Sequence, residues 1–333
     1  MASVSLGELT TTFLLGAVAA PLLAALTLLA ACFELLRAPC ARAPPREVRE
    51  PTCVLVTGAS SGLGEALARH YARPGRTLLL TGRSAEGMRR TTEACLALGA
   101  TVRALDNNDL ATEAGRAAMR EWARARDAEL PIDLVVANAG VDAGTCGAPD
   151  KEDLADVTRR VFAINVDGAF ATAFAVLDKM RARGRGQIGL VSSIAGLAPV
   201  GSSAAYSASK SALKVFGESL RWQLLREGVR VNVVCPGYVD TGLTRSLSFK
   251  ISGILGADAA AAAIAQGFAR DAPVTCFPTG HFAAQWLSAA LPPVVRDCVA
   301  RNRIFGGAAG YMRPKKAAAA SAAANGTNTA KAK

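Results

Sequence analysis

Short apolar runs, many of them rich in β-branched residues, alternate with longer segments of helical apolar spacing along the middle of the chain. Six runs lie at residues 53–56, 78–81, 102–105, 134–137, 188–191 and 231–235, and a briefer seventh lies at residues 274–277. Strands that alternate with helices predict an α/β fold with a doubly wound parallel sheet. Because no linker interrupts residues 52–280, we expect a single domain there.

An uncharged apolar run at residues 9–33 precedes this domain. It is long enough to cross about 30 Å of hydrocarbon, so we expect one transmembrane helix within the N-terminal segment 1–36. A cleavable secretory signal is the main alternative, but the flank before the run carries Glu8 and no Lys or Arg. Basic residues follow in the Pro-rich linker 37–51. This distribution predicts a single-pass membrane protein whose catalytic domain faces the cytoplasm, at the endoplasmic reticulum in a eukaryote.

Residues 281–312 are apolar but are interrupted by Pro292 and Pro293. Two interpretations stay open for this segment: a cap over the pocket or a contact with the membrane surface, and a terminal helix packed on the sheet. Residues 313–333 are rich in Ala and Lys, which predicts a disordered tail.

Composition excludes several classes of function. The net charge is +11, but only 5% of the residues are aromatic, which argues against a nucleic-acid partner. The eight cysteines form no C-x-x-C pair and no metal-ligand spacing with His70 and His281. We therefore expect no metal and reduced thiols.

Tyr206 and Lys210 lie four residues apart in a stretch of helical spacing, so their side chains share one helix face. A fixed ammonium beside a phenol favours the phenolate and lowers the phenol pKa toward neutrality. The pair therefore predicts a proton-transfer device, although such spacing also arises by chance.

A glycine-rich turn follows the strand at residues 53–56 and opens a helical segment. Its glycines are Gly58, Gly62 and Gly64. Such a turn lets the backbone approach a pyrophosphate and directs the helix N-terminus at it.

With these motifs in place, residues from about 50 to 280 resemble the short-chain dehydrogenase/reductase family in its single-domain form. The resemblance rests on residues 57–64, Asn138-Ala139-Gly140, Asn165, Ser193, Tyr206 with Lys210, and residues 236–241. It implies a Rossmann fold and an oxidoreductase that interconverts a carbonyl and a secondary alcohol.

The resemblance also implies the catalytic roles. Tyr206 would be the general acid/base, and Ser193 would hydrogen-bond the same substrate oxygen. Lys210 would lower the tyrosine pKa and hold the nicotinamide ribose, and Asn165 would hold a water that relays protons from Lys210. Ser192 is the neighbouring alternative to Ser193, and a buried asparagine that satisfies backbone groups is the alternative for Asn165.

The cofactor-binding residues that the resemblance implies begin in the glycine turn and follow the strand ends. They are Gly58, Ser60, Ser61, Gly62, Leu63, Gly64, Arg83, Ser84, Asp106, Asn107, Asn138, Ala139, Gly140, Tyr206, Lys210, Pro236, Gly237, Val239 and Thr241.

Cofactor preference is predicted from the end of the second strand. NAD-preferring sites place a carboxylate there to bind the ribose hydroxyls, but this chain has Gly82, followed by Arg83 and Ser84. A guanidinium and a hydroxyl suit a 2′-phosphate. We therefore expect NADP(H) rather than NAD(H). Ser61 stands where many family members carry a second basic residue.

These observations predict an NADP(H)-dependent oxidoreductase at a membrane, with a small lipophilic substrate of the lipid, sterol or retinoid kind. The alternative is a non-catalytic NADP-binding scaffold or redox sensor with the same fold. The family resemblance also suggests a homodimer formed through the helices that carry Asn165 and Tyr206.

Overall fold

The computed structural model describes Thr27 and residues 49–146, 153–200, 203–245 and 253–301. Apart from Thr27, the expected membrane-spanning run at residues 9–33 lies outside the described residues. So do residues 37–48 of the linker, residues 302–312 and the tail at 313–333.

Seven parallel strands form one sheet in the order β3-β2-β1-β4-β5-β6-β7. The strands are β1 Cys53–Thr57, β2 Thr77–Thr81, β3 Thr101–Leu105, β4 Leu134–Ala137, β5 Gly186–Val191, β6 Val229–Pro236 and β7 Val274–Phe277. All seven predicted strands are therefore present, including the brief seventh. The predicted doubly wound α/β fold is confirmed.

Helices connect the strands and cover both faces of the sheet. They are α1 Gly62–Tyr71, α2 Ala85–Ala97, α3 Glu113–Glu129, α4 Leu154–Phe162, α5 Ala169–Ala173, α6 Leu177–Ala182, α7 Ala204–Gln223, α8 Gly242–Arg245, α9 Ala257–Ala269, α10 Thr279–Ala290 and α11 Pro293–Arg301. A π-helical segment, Ala163–Gly168, joins α4 to α5, and a 3₁₀ helix, Ile194–Gly196, follows β5.

The alternation of side chains along each strand separates two hydrophobic cores. Leu55 of β1 packs in one core with residues of α3 and α7, among them Met119 and Leu213. Its neighbour Val56 points to the opposite face, into a core that includes Leu67 of α1 and Phe268 of α9. Because both faces are covered, the inner strands are mainly apolar, as is typical of parallel sheets. Gln187 of β5 and Asn232 of β6 are buried polar exceptions that hydrogen-bond each other at 2.7 Å.

The strand order reverses beside β1. From β1 the chain runs outward to β2 and β3, then returns to place β4 on the other side of β1. Ligands of open α/β sheets bind at the carboxyl ends of the strands where the order reverses. The topology thus locates the candidate site beyond the ends of β1 and β4.

One helical stretch among the described residues, Leu154–Ala182, is long and apolar enough to cross a membrane. Its most apolar window is 61% buried inside the fold. The stretch combines α4, α5 and α6 with the π-helical segment, and it contributes buried residues to the core beside β4 and β5.

The C-terminal apolar segment forms two helices, α10 and α11, which are separated at Leu291 and Pro292. Helix α10 packs on β7 and on the 3₁₀ helix. Gln285 of α10 donates a hydrogen bond from Nε2 to the carbonyl oxygen of Ala198 at 2.8 Å. This helix therefore lies against the loop that follows Ser193, while its Trp286 and Leu287 remain more than half exposed.

In the described part of the chain the cysteines are free thiols. Cys53 is fully buried in β1, and burial raises the pKa of its thiol to about 12. Among the described residues no group of three or more His, Cys, Asp or Glu side chains is arranged to hold a metal ion.

Candidate active site

The glycine turn between β1 and α1 is a close-packed corner that only glycine fits. Gly58 and Gly62 have positive φ angles of 68° and 57°, a region that side chains disfavour. A Cβ on Gly64 would collide with the carbonyl oxygen of Gly58, and one on Gly58 would lie 2.8 Å from the Cα of Ala139. The three glycines therefore bring the backbone of the turn close to β4.

The start of α1 suits an anionic ligand. Ser61 is its N-cap residue but makes no side-chain capping hydrogen bond, so the first N–H groups of the helix are available at the cleft. A helix N-terminus binds phosphate through such N–H groups and through its positive dipole end. Ser60, Ser61, Gly62 and Leu63 line the cleft, and the residues present fit a dinucleotide pyrophosphate.

Asn138 connects the ends of the two central strands. Its Nδ2 donates to the carbonyl oxygen of Thr57 at 2.9 Å, and the Thr57 hydroxyl accepts from the backbone N–H groups of Asn138 and Ala139. These bonds fix the cleft floor where the sheet order reverses. Asn138, Ala139 and Gly140 all line the cleft, where the sequence predicts them.

Ser193 lies at the end of β5, where the chain turns into the 3₁₀ helix. Its hydroxyl accepts from the backbone N–H of Ala195 at 3.1 Å, which holds the side chain in place. The phenol of Tyr206 extends from α7 into the same part of the cleft, where the Ser193 side chain acts to lower its pKa. The structure thus brings together two predicted catalytic side chains that are thirteen residues apart in the chain.

Lys210 lies one turn after Tyr206 on α7 and is buried. Its Nζ donates to the carbonyl oxygen of Val191 at 2.9 Å and lies 5.7 Å from the centre of the Tyr206 ring. A Cβ on Gly140 would lie 3.0 Å from this Nζ. Gly140 therefore leaves the space that the lysine head group occupies.

The proton affinities of the pair differ from the expectation based on spacing. Burial raises the pKa of Tyr206 to about 12. The neighbouring Ser193 hydroxyl acts to lower this pKa, but its effect is smaller than that of burial. Burial also lowers the pKa of Lys210 to about 8. Desolvation outweighs the predicted effect of the ammonium on the phenol because both groups are withdrawn from water.

Asn165 lies in the π-helical segment and is fully buried. Its Oδ1 accepts from the N–H of Val141 at 2.8 Å, while its Nδ2 donates to the Val141 carbonyl oxygen at 2.9 Å and to the Ser209 hydroxyl at 3.0 Å. The side chain does not line the cleft. It clamps the loop after Gly140, and π-helical bulges of this kind frequently occur at functional sites.

Ser192 is clearly distinguished from Ser193 in the structure. Its Oγ donates to the carbonyl oxygen of Lys210 at 2.7 Å and is buried. This hydroxyl therefore ties β5 to α7 and supports the position of the lysine.

At the other end of the cleft, Arg83 and Ser84 follow β2 and line the wall beside the glycine turn. Arg83 is exposed, and within the described part of the chain it makes no hydrogen bond or ion pair. Ser84 is the N-cap of α2, where its Oγ accepts from the N–H of Gly87 at 3.2 Å. Its hydroxyl proton stays available for an anion.

Asp106 and Asn107 are the two predicted cofactor residues after β3 that the structure does not place at the cleft. Asn107 adopts a left-handed conformation with φ of 54°, which turns the chain sharply. The next residues, Asn108 and Asp109, line the cleft instead. The Nδ2 of Asn108 donates to the carbonyl oxygen of Gly115 at 2.8 Å, so this turn is anchored to the start of α3.

The loop after β6 closes the opposite end of the cleft. Pro236, Gly237, Val239 and Thr241 line it, where the sequence predicts them. Sequence reasoning missed several other lining residues, about half of which come from loop positions. They are Thr81, Gly82, Asn108, Asp109, Leu110, Val141, Thr145, Ile164, Val191, Ser192, Gly242, Leu243 and Thr244.

Comparison with known proteins agrees with this geometry. A model of the short chain dehydrogenase family matches residues 52–251. The chain belongs to the short-chain dehydrogenase family. An uncharacterized oxidoreductase of Myxococcus xanthus is 39% identical to this short-chain dehydrogenase over 249 residues, which are 74% of this chain and 96% of the relative. The ketoacyl reductase HetN of Nostoc is 35% identical over 205 residues, which are 60% of this chain and 69% of that protein.

Solved structures share the fold. A short-chain dehydrogenase from Sphingobium yanoikuyae in complex with NADPH aligns with a TM-score of 0.61 at 26% identity, covering 77% of this chain and 97% of that one. Levodione reductase aligns with a TM-score of 0.61 at 25% identity, covering 70% of this chain and 98% of that one. This protein is therefore an oxidoreductase of the short-chain dehydrogenase family.

Proposed function

We propose that this short-chain dehydrogenase is an NADP(H)-dependent enzyme that interconverts a ketone or aldehyde with the corresponding alcohol. The observation that carries the proposal is that Ser193, Tyr206 and Lys210 all line the dinucleotide cleft, with the buried Lys210 Nζ 5.7 Å from the centre of the Tyr206 ring. Two hydroxyls from different elements converge on one point, where a carbonyl oxygen would sit.

In the reducing direction, a nicotinamide cofactor held along the glycine turn and Lys210 would supply the hydride for the carbonyl carbon. Tyr206 donates its proton to the carbonyl oxygen as the C=O π bond becomes a C–H and an O–H bond. Ser193 donates a hydrogen bond to the same oxygen and stabilises its developing negative charge. The phenol pKa of about 12 keeps Tyr206 protonated at neutral pH, which suits its role as an acid.

The preference for NADP(H) is supported by Arg83 and Ser84 at the cleft wall and by the lack of a carboxylate at Gly82. The structure of one relative contains NADPH, and that of another, 28% identical to this chain, contains bound NADP. Arg83→Ala should weaken NADPH binding by about tenfold or more and NADH binding little, because only NADPH carries the 2′-phosphate. Equal effects on the two cofactors, measured as dissociation constants by fluorescence titration, would contradict this preference.

The decisive test of the chemistry is Tyr206→Phe, which removes the proton donor and keeps the ring. NADPH oxidation with a ketone substrate should fall by roughly a hundredfold to ten-thousandfold, while NADPH binding stays near that of the wild type. Tyr71→Phe is the matched control, because Tyr71 is a buried tyrosine of α1 that does not line the cleft. Turnover near the wild-type rate in Tyr206→Phe would contradict the role of Tyr206 as proton donor, whereas NADPH binding by the wild type without turnover of any ketone or aldehyde would favour the NADP-binding scaffold or redox sensor.

We further propose a lipophilic substrate reached from a membrane. The support is the uncharged run at residues 9–33 and the apolar lining of the cleft by Val141, Ile164 and Leu243. In a series of ketones of increasing chain length, kcat/KM should rise by up to about fourfold per methylene. A flat series would contradict the lipophilic substrate.

The membrane orientation has its own experiment. Carbonate extraction should leave the full chain in the membrane pellet and release a variant that lacks residues 1–48. The sequon Asn325-Gly326-Thr327 should stay unglycosylated in a eukaryotic host, because we propose that the catalytic domain and the tail face the cytoplasm. Efficient glycosylation at Asn325 would reverse the proposed orientation.

A homodimer through α7 is the proposed assembly. Val215 and Trp222 lie seven residues apart on this helix and are 62% and 71% exposed, and Phe174 is 40% exposed nearby, with its ring 5.7 Å from that of Phe216. Exposed apolar side chains that share a face favour a protein contact. Trp222→Glu should convert a dimer to a monomer in light scattering of the detergent-solubilised protein, whereas a wild-type monomer would contradict the assembly.

A further inference from the structure

Ser60 of the glycine turn lies beside Gly82, which precedes Arg83, and accepts a hydrogen bond from Arg90. Arg83 follows Gly82, and a Cβ on Gly82 would lie 3.1 Å from the Ser60 Oγ. Arg90 of α2 donates a hydrogen bond from its Nη2 to the Ser60 carbonyl oxygen at 3.4 Å. Ser60 lines the cleft together with Arg83, and Arg90 reaches this residue from outside the cleft lining.

The position of Arg90 is set by close packing of α2 on the glycine turn. A Cβ on Gly87 would collide with the Ser60 carbonyl oxygen. The Thr91 hydroxyl donates to the carbonyl oxygen of Ala59 at 2.9 Å, and Thr91 is buried. Arg90, which precedes Thr91, is therefore held beside the turn by its helix.

Arg90 now pairs with Glu65 in the first turn of α1, with an Nη2 to Oε2 distance of 2.8 Å. The Arg90 side chain is 54% exposed, so solvent and a ligand can reach it. Surface ion pairs of this kind contribute little stability. A phosphate monoester carries more charge than a carboxylate and accepts bidentate bonds from a guanidinium, so it competes well with Glu65 for Arg90.

We propose that Arg90 is a second cation for the 2′-phosphate of NADP(H), acting together with Arg83, and that Glu65 competes with the phosphate for Arg90. This inference rests on the proposed NADP(H) preference and adds residues to it. Arg90 supplies the second positive charge that the glycine turn lacks at Ser61, and Glu65 sets how much of that charge is available.

The test measures dissociation constants of NADPH and NADH for the full chain in detergent, by quenching of intrinsic fluorescence, which requires no substrate. Arg90→Ala should weaken NADPH binding about tenfold and NADH binding less than about twofold. Arg89→Ala is the matched control, because Arg89 is the adjacent exposed arginine of α2 and pairs with Glu86 and Glu93 instead. It should change neither constant by more than about twofold.

Glu65→Gln should strengthen NADPH binding by a few fold, because it releases Arg90 and removes a negative charge near the phosphate. The double variant Glu65→Gln with Arg90→Ala separates direct contact from simple neutralisation of Glu65. With direct contact, the double variant binds NADPH several-fold more weakly than Glu65→Gln alone. If it binds NADPH as well as Glu65→Gln does, Arg90 only neutralises Glu65 and the inference is wrong.

Failure of this inference is distinguishable from failure of the cofactor preference. If Arg83→Ala weakens NADPH selectively but Arg90→Ala behaves like Arg89→Ala, the preference stands and the role of Arg90 is overturned. If neither Arg83→Ala nor Arg90→Ala distinguishes NADPH from NADH, the proposed preference itself is wrong.

Discussion

The positive charge of Lys210 lies in a buried position, where it lowers the stability of the folded protein. Burial lowers the pKa of its ammonium from 10.5 to about 8. A pKa difference of this size corresponds to about 3 kcal/mol of destabilisation where both the folded and the unfolded chain carry the proton, which is the case at about pH 7. Lys210→Met keeps an unbranched side chain of similar length in the same place and removes the charge.

The net effect of Lys210→Met combines two contributions. Removing the buried ammonium adds about 3 kcal/mol to the free energy of unfolding, while losing its hydrogen bond to the Val191 carbonyl oxygen subtracts about 1 kcal/mol. We therefore expect the variant to be more stable than the wild type by about 2 kcal/mol at about pH 7. It should also be inactive, because the lysine belongs to the proposed catalytic group.

The pH dependence gives the sign of the effect. Between about pH 8 and about pH 10.5 the unfolded wild-type chain binds a proton at Lys210 that the folded chain lacks, so this group raises stability as pH rises. The advantage of Lys210→Met should therefore shrink to roughly zero by about pH 9.5. Other groups that titrate in this range contribute equally to the stability of the variant and of the wild type. Their contributions therefore cancel in the difference between the two free energies of unfolding.

Urea unfolding followed by fluorescence measures both quantities. Lys214→Met is the control, because Lys214 lies one turn later on α7, is partly exposed and pairs with Glu218 at 2.7 Å. Its effect should be small and nearly independent of pH in this range. If Lys210→Met proved less stable than the wild type at neutral pH by an amount that pH does not change, the lysine would not be a strained buried cation.

Three further predictions follow from the same contacts. Ser193→Ala should lower kcat with a ketone substrate by roughly a hundredfold or more, measured by steady-state kinetics. Ser192→Ala should mainly lower the free energy of unfolding, by about 1–2 kcal/mol in urea. If Ser192→Ala lost more activity than Ser193→Ala, our choice of the catalytic serine would be wrong. The wild-type rate of ketone reduction should decline as pH rises through about 8, where Lys210 loses its charge, and a pH-rate profile that stays flat through this range would contradict it. Gly189→Ala should lower the free energy of unfolding by about 1–3 kcal/mol. The reason is that the new Cβ would lie 2.9 Å from Cε1 of the fully buried Phe268. An unchanged midpoint of urea unfolding would contradict this prediction and show that the ring can move aside.

Amino-acid sequence alone was sufficient to predict the architecture and most of the candidate site. Apolar runs of strand length predicted all seven strands, because buried parallel strands need apolar side chains on both faces. Glycines were equally informative, since Gly58, Gly62 and Gly64 occupy positions where a side chain collides. The spacing of Tyr206 and Lys210 predicted that they share one face of α7.

Features that depend on the path of a loop, or on packing between distant elements, became visible only in the folded structure. The left-handed Asn107 turns Asn108 and Asp109 toward the cleft, and local sequence does not predict which residue of a polar run adopts that conformation. The packing of α2 on the glycine turn brings Arg90 to Ser60 and Glu65, which lie thirty and twenty-five residues away in the chain.

The proton affinities of the catalytic pair also required the fold. Spacing alone predicted an acidic phenol beside an ammonium, but burial raises the pKa of Tyr206 and lowers that of Lys210. Desolvation depends on every atom that surrounds a group in the folded state, so a pattern of neighbours along the chain does not contain it. The sequence thus determines which groups meet in this site, and the surrounding structure determines which of them hold their protons.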